Sequence, residues 1–312
     1  MKKIKASIFI LCLLCYSFGN STNISSFSES TQTVYPDSIM KNRIIPVAAA
    51  FSGVYACSMI TLYSAWYKDY PTSRFHSFND NQEWLQMDKA SHMLAAYSIS
   101  RYTYEIFRWT GMDNKKAVLW SSVASFGFQS SFEIFDGFSK EWGFSWGDVV
   151  SNGIGTSLFA AQQLLWQEQY IHLKYSYQTT QEPNYRPNLL GSTYPEKFIK
   201  NYNGITIWTS INPSLFLPKE SLFPKWISLA IGYRASGMTG GFENPSQING
   251  VEIPHFGRQR HFYIAPDIDL SKIKTKNKIL NALLFSLNYF KFPLPGISFT
   301  DKQGLRAHWI IF

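Results

Sequence analysis

SWGDVVSNGIGTSLFAAQQLLWQEQYIHLKYSYQTT, residues 145–180, changes its texture from one end to the other. Ser145 precedes a run in which Asp148, Asn152, Gly155, Phe159 and Gln162 recur at helical spacing, so the run predicts a helix capped by Ser145 and continuing to about Tyr170. After Lys174 the chain turns strand-like and rich in loops. A helical half followed by a β-rich half is an α+β arrangement, with the change of composition between 175 and 176.

Two helices precede this one, from about Met87 to Trp109 and from Asn114 to Phe135. DGFSKEWGFSWG, 136–147, holds three glycines and two serines and suits a tight turn between the third and fourth helices. Further back, Ile44 to Tyr67 contains no charged residue and is bounded by Arg43 and Lys68. That length suits a membrane-spanning helix or a buried helix of a bundle. The four together predict a four-helix, membrane-associated bundle over 41–175. Downstream, ITIWTSI (205–211), WISLAIGY (226–233), HFYIAPDIDL (261–270) and LRAHWIIF (305–312) read as strands of a small antiparallel domain over 176–312, with a short helix over 277–290.

The start of the chain reads MKKIK, then an apolar run from Ile8 to Phe18, then small residues, which is a secretory signal with a cut after Gly19. Cys15 follows Leu14 rather than a small residue, which argues against a lipid-anchored cysteine. Removing 1–19 leaves Cys57 as the only cysteine and lowers the formal charge from +8 by the three lysines in the signal. Residues 20–40 are Ser-, Thr- and Asn-rich and read as a mobile leader. Aromatic residues make up 17% of the chain against 16% charged, a balance suited to lipid headgroups or an interface. The charges are scattered and no basic run points to nucleic acid.

The informative polar residues sit on helix faces that are otherwise apolar. Asp88 and His92 are four apart in DKASH, Gln129 and Glu133 are four apart before Asp136, and Asp148 and Asn152 repeat the spacing. In an up-down bundle the three groups share one end. His92 with Asp88, Glu133, Asp136, Asp148 and Asn152 has the ingredients of an oxygen-rich divalent metal site, or of a carboxylate base, Glu133 or Asp148, oriented by His92. Helix caps and interhelical hydrogen bonds are the competing role for the same residues. His76 and Asp80 could join that end or stay solvated; His255 and His261, flanking Arg258 and Arg260, read as surface. There is no phosphate-binding Gly-rich loop, cysteine-pair zinc pattern or HExxH.

The order DKASH, EIFDGFS, WGFSWGDVVSNGIGT resembles the YfiM-like predicted periplasmic lipoproteins, and the helical part is also similar to VanZ-like membrane proteins. The shared positions are Asp88, Lys89, His92, Glu133, Asp148, Asn152 and Gly155. The resemblance implies an envelope location and a helical domain with no established activity, and the C-terminal region is similar to an extension of Bacteroidetes-type versions. Asp136 and Ser139 stand where the VanZ-like pattern has Gln and Arg, a departure that weighs against a glycopeptide-related role. The sequence thus predicts an exported protein on the periplasmic side of the inner or outer membrane. Its expected partner is a membrane lipid or an envelope protein held by a scaffold, or else a lipid-linked or cell-wall substrate of a hydrolase or transferase.

Overall fold

The computed structural model describes residues 35–36, 38–63, 67, 71–218, 220–248 and 250–311, so the export signal and Cys15 lie outside the described residues. The architecture is α+β. Seven α-helices occur among the described residues: α1 Lys41–Leu62, α2 Met87–Trp109, α3 Asn114–Asp136, α4 Trp146–Leu165, α5 Pro187–Leu190, α6 Tyr194–Lys200 and α7 Lys278–Leu287. The strands are β1 Ile171–Tyr177, β2 Ile205–Ile211, β3 Ile227–Ser236, β4 Gln247–Ile248, β5 Val251–Glu252, β6 Gln259–Ile268, β7 Leu294–Thr300 and β8 Gly304–Ile311. The chain divides into two compact units. One contains the described residues up to Phe78 with Ala95–Glu168 and Ile273–Ser286; the other contains Asn79–Leu94, Gln169–Lys272 and Leu287–Phe312.

In the first unit α3 and α4 form an antiparallel hairpin. Asp113 caps α3 by accepting from the Lys116 amide at 3.0 Å, and Ser145 caps α4 by accepting from the Asp148 amide at 3.1 Å. Pro71–Phe78 lies along the loop between them, with backbone hydrogen bonds from Ser73 to Phe138 and from His76 to Gly137. A Cβ on Gly137 would meet the Phe75 ring at 2.4 Å and one on Gly143 would meet Phe78 at 2.6 Å. The glycines of this turn are therefore required for close approach. Helix α1 touches its unit through rings, Phe51 against Phe107 at 5.5 Å and Tyr55 against Phe128 at 5.8 Å, and through Arg43, which donates to the Trp109 carbonyl at 2.8 Å, and is mostly exposed. By length and composition Lys41–Thr61 could cross a membrane. The end of the predicted leader is tied down here, since the Tyr35 hydroxyl donates to Glu105 at 2.5 Å and the Met40 amide to Thr110.

Several element bounds differ from the sequence reading. Helix α4 stops at Leu165 rather than near Tyr170 because Gln167 takes a left-handed φ of 55°. The helix expected over 277–290 is α7, Lys278–Leu287. The large sheet has six strands rather than four, in the antiparallel order β1-β2-β3-β6-β7-β8. IHLKYSY is a strand from Ile171, where the expected β-rich part began only at residue 176, and LPGISFT, β7, is a strand despite its Pro and Gly. Gly296 tolerates no side chain: a Cβ would meet Ala265 at 2.7 Å.

The sheet is patterned in an unusual sense. One face presents His172, Lys174 and Ser176 of β1, Thr206, Trp208 and Ser210 of β2, Ser228, Arg234 and Ser236 of β3, His261, Tyr263 and Asp267 of β6, and Ser298 and Thr300 of β7. Most of these side chains are buried. The opposite face presents Leu229 and Ile231, Phe262 and Ile264, Ile297 and Phe299, and Leu305 and Trp309, all exposed, Trp309 at 90%. Among the described residues that apolar face is covered at its β1–β2 end, by Tyr194 and Phe198 of α6 against Tyr175 and Tyr177, and at Tyr233 and Arg260, by the Leu85–Gln86 turn. A half-buried sheet of a water-soluble domain has the reverse pattern.

Candidate functional site

The α3–α4 hairpin sets the first group of residues. Gln129 Nε2 donates to Asn152 Oδ1 at 3.4 Å, which fixes the level at which the two helices face. One turn towards the loop on each helix brings Glu133 to the level of Asp148, because the helices run in opposite directions. All four side chains are buried, Glu133 at 2% exposure and Asp148 at 4%. Asp136, at the end of α3, accepts from the Tyr67 hydroxyl at 2.5 Å. Two carboxylates held at one buried level repel each other unless a proton or a cation lies with them.

The second group is in the other unit. Before α2 the backbone takes left-handed φ at three successive non-glycine residues, Trp84, Leu85 and Gln86 (49°, 50° and 64°). Such a run costs roughly 1–2 kcal/mol per residue and holds only when clamped. The clamps are the Trp84 amide donating to Gly241 at 2.9 Å, the Tyr233 hydroxyl donating to the Leu85 carbonyl, and Arg260 donating to the Gln86 side chain at 2.7 Å. Directly after this turn, Asp88 accepts from the Tyr202 hydroxyl at 2.6 Å, and His92 Nε2 lies 3.8 Å from it across one helical turn. Lys89 bridges Asp88 at 3.0 Å and Asp80 at 2.7 Å. Burial pushes the Asp88 carboxyl up, but His92, Lys89 and the Tyr202 hydroxyl outweigh it and hold it down at about 2. Glu83 goes the other way, pushed up to about 7 by burial and by Asp80 and Asp88.

A pH-dependent prediction follows from Glu83. Its folded pKa lies above the ordinary value, so the fold binds more protons than the unfolded chain between about pH 4.5 and 7, and stability falls as pH rises through that window. Glu83→Gln should raise the melting temperature at pH 8 and leave it unchanged below about pH 4.5. Melting curves of both proteins across pH check this; a difference independent of pH would contradict it.

Residues 76–164 match a family model described as "Predicted periplasmic lipoprotein (DUF2279)". No curated protein and no solved structure matches the chain. The family's description agrees with the export expected from residues 1–19, and the chain is an exported protein of the cell envelope. The matched segment contains Asp88, His92, Glu133, Asp136, Asp148 and Asn152 and stops before β1.

Of the sequence-predicted residues, the structure brings together Asp88 with His92 in one unit and Gln129 with Asn152 in the other, where Glu133 and Asp148 are both buried one turn nearer the loop. Asp80 pairs with Lys89. His76 stays in the loop packed on the α3–α4 turn, its Nδ1 3.2 Å from Ser73 Oγ. His261 is not a surface loop residue: it lies on the polar face of β6, half-buried, with Nε2 2.7 Å from Ser236 Oγ. Burial and the Arg234 charge push it down to about 4. Sequence reasoning also missed the charges buried on that face. Lys174 pairs with Asp267 at 2.7 Å and His172 with Asp269 at 3.0 Å, all at 0–1% exposure. The available signal was charge at alternate positions inside strands, as in IHLKYSY and APDID.

Proposed function

We propose that the protein is a membrane-seated envelope scaffold whose β-sheet turns its apolar face to lipid acyl chains. The observation that carries this reading is the inverted sheet, with buried ions on one face and eight exposed large apolar side chains on the other. Transferring the eight exposed aliphatic and aromatic side chains of that face out of water, at roughly 1 kcal/mol each, would supply about 5–10 kcal/mol. Lipid is the occupant argued for because the chain is exported, because α1 is long and apolar enough to span, and because the face between β3 and β8 presents no acid. Association of the four helices α1–α4 as a membrane-associated bundle belongs to the same reading, as do the likenesses to YfiM-like and VanZ-like proteins.

Flotation with phospholipid vesicles tests it. The wild-type protein should float, and a Leu229→Ser, Ile264→Ser, Phe299→Ser variant with unchanged circular dichroism should lose most of its binding. Equal flotation of the two, or a wild-type protein that stays in the soluble fraction without detergent, would refute the reading; a dimer sealed through this face would show in the sedimented mass.

A second reading is favoured by the buried carboxylates Glu133 and Asp148, each one helical turn from the Gln129–Asn152 contact. We propose that these two, with Asn152, serve one divalent cation or one transferable proton. On a lipid-linked or cell-wall substrate, Glu133 or Asp148 would then act as base.

A further inference from the structure

We propose that the polar face of the sheet holds a binding site for a phosphate-bearing anion, centred on Arg234, Arg306 and His308. A cavity of about 250 Å³ opens there, lined by these three with His261, Ser298 and Thr300 and by no acidic residue. It lies just below the ~300 Å³ at which small-molecule sites begin, which suits a headgroup better than a whole nucleotide.

The case rests on how the fold treats its buried cations. Lys174 on the same face has Asp267 at 2.7 Å. Arg234 is also buried, at 9% exposure against 0% for Lys174, yet among the described residues neither it nor Arg306 has a carboxylate within ion-pair distance. Its Nε donates to the Asn203 carbonyl at 2.7 Å, which holds the guanidinium in place without neutralising it. A buried uncompensated charge is expensive, and an anion arriving in the cavity removes that cost. The register puts the donors in two adjacent rows, Arg234, His261 and Thr300 in one, Tyr263, Ser298 and Arg306 in the next. Ser298 and His308 share a hydrogen bond at 2.7 Å that orients both. Guanidiniums with several hydroxyl and imidazole groups match a tetrahedral anion with three acceptor oxygens. The inference does not depend on the membrane reading, since a free phosphate would be held by the same groups.

The test is titration of the purified protein at low salt with inorganic phosphate and with glycerol 3-phosphate, followed by vesicles of phosphatidylcholine with and without phosphatidic acid. Binding of the soluble anions, weakened about tenfold or more in Arg234→Gln and in Arg306→Gln, establishes a site open to free phosphates. If only the increment due to phosphatidic acid is seen, and either variant abolishes it, the ligand is a lipid headgroup. Arg306 is exposed, so its variant decides the matter should Arg234→Gln fail to fold. Absence of binding to every probe, or binding that folded Arg306→Gln leaves unchanged, overturns the proposal.

Discussion

Asp267→Ala should destabilise the protein by about 3–5 kcal/mol, a fall in melting temperature of roughly 10 °C or more. Asp267 is fully buried and neutralises two lysines, Lys174 at 2.7 Å and Lys291 at 3.7 Å, while accepting from Ser210 Oγ at 2.7 Å. Removing it strands both ammonium groups in a site from which water is excluded. Lys291 is already pushed down to about 8 by burial and by Lys174, with Asp267 opposing the shift. Without Asp267 it must fall further. A lysine whose folded pKa is lowered binds fewer protons in the fold than in the unfolded chain, so stability rises with pH between the two values. The loss in Asp267→Ala should therefore be largest below the lowered Lys291 pKa of the variant, shrink as pH rises to about 8, where Lys291 loses its proton in the parent fold too, and stay level above that. Adding Lys174→Met to Asp267→Ala removes one stranded charge and should restore part of the loss. Thermal melts of the three proteins between pH 6 and 10 check the set; a fall of only a degree or two in Asp267→Ala would show that the pair contributes little.

Glu133→Gln should separate function from stability. The amide keeps the size of the side chain and most of its hydrogen bonds while removing one of two charges at the Glu133–Asp148 level, so the melting temperature should hold or rise. Glu133→Ala should lose about 1–3 kcal/mol, because neighbouring polar groups in a buried site are then left unsatisfied. If the carboxylates serve a cation or a proton transfer, Glu133→Gln abolishes the envelope phenotype of the gene and any stoichiometric divalent metal in the purified protein, despite its intact fold. Asp148→Asn should then remove the same metal. A stable, fully functional Glu133→Gln protein would exclude chemistry at this site and leave the residue as a fastening of the hairpin.

Much of the helical half was legible in the residues. DKASH marked the start of α2, Ser145 marked a cap, and the polar i, i+4 pairs picked out side chains that the structure buries. Which of those pairs meet was not legible, because spacing along a helix fixes a face and not its partner. The β half was harder for a definable reason. A period of two establishes that a strand has two faces, but not which one the core receives. WISLAIGY and HFYIAPDIDL each alternate large apolar with small or polar residues, and the default places the apolar set inside. Here the ions of Lys174, Asp267, His172 and Asp269 satisfy one another, so the polar face could be the buried one. His261 was misread for the related reason that Arg258 and Arg260 beside it look solvated. Those arginines instead hold the Gly240–Gly241 carbonyls and the Gln86 turn.

The orientation of the sheet towards lipid is tested most directly by spin-label accessibility. Cysteine would be placed singly at Leu229, Ile264, Phe299 or Trp309, in a background where Cys57 is replaced by Ser, and each site labelled with a nitroxide. On addition of phospholipid vesicles, all four positions should gain accessibility to oxygen and lose accessibility to a water-soluble nickel chelate, while a label at Lys302 in the β7–β8 turn should keep its exposure to the chelate. Labels at 229, 264, 299 and 309 that stay open to the chelate in the presence of vesicles would contradict the account.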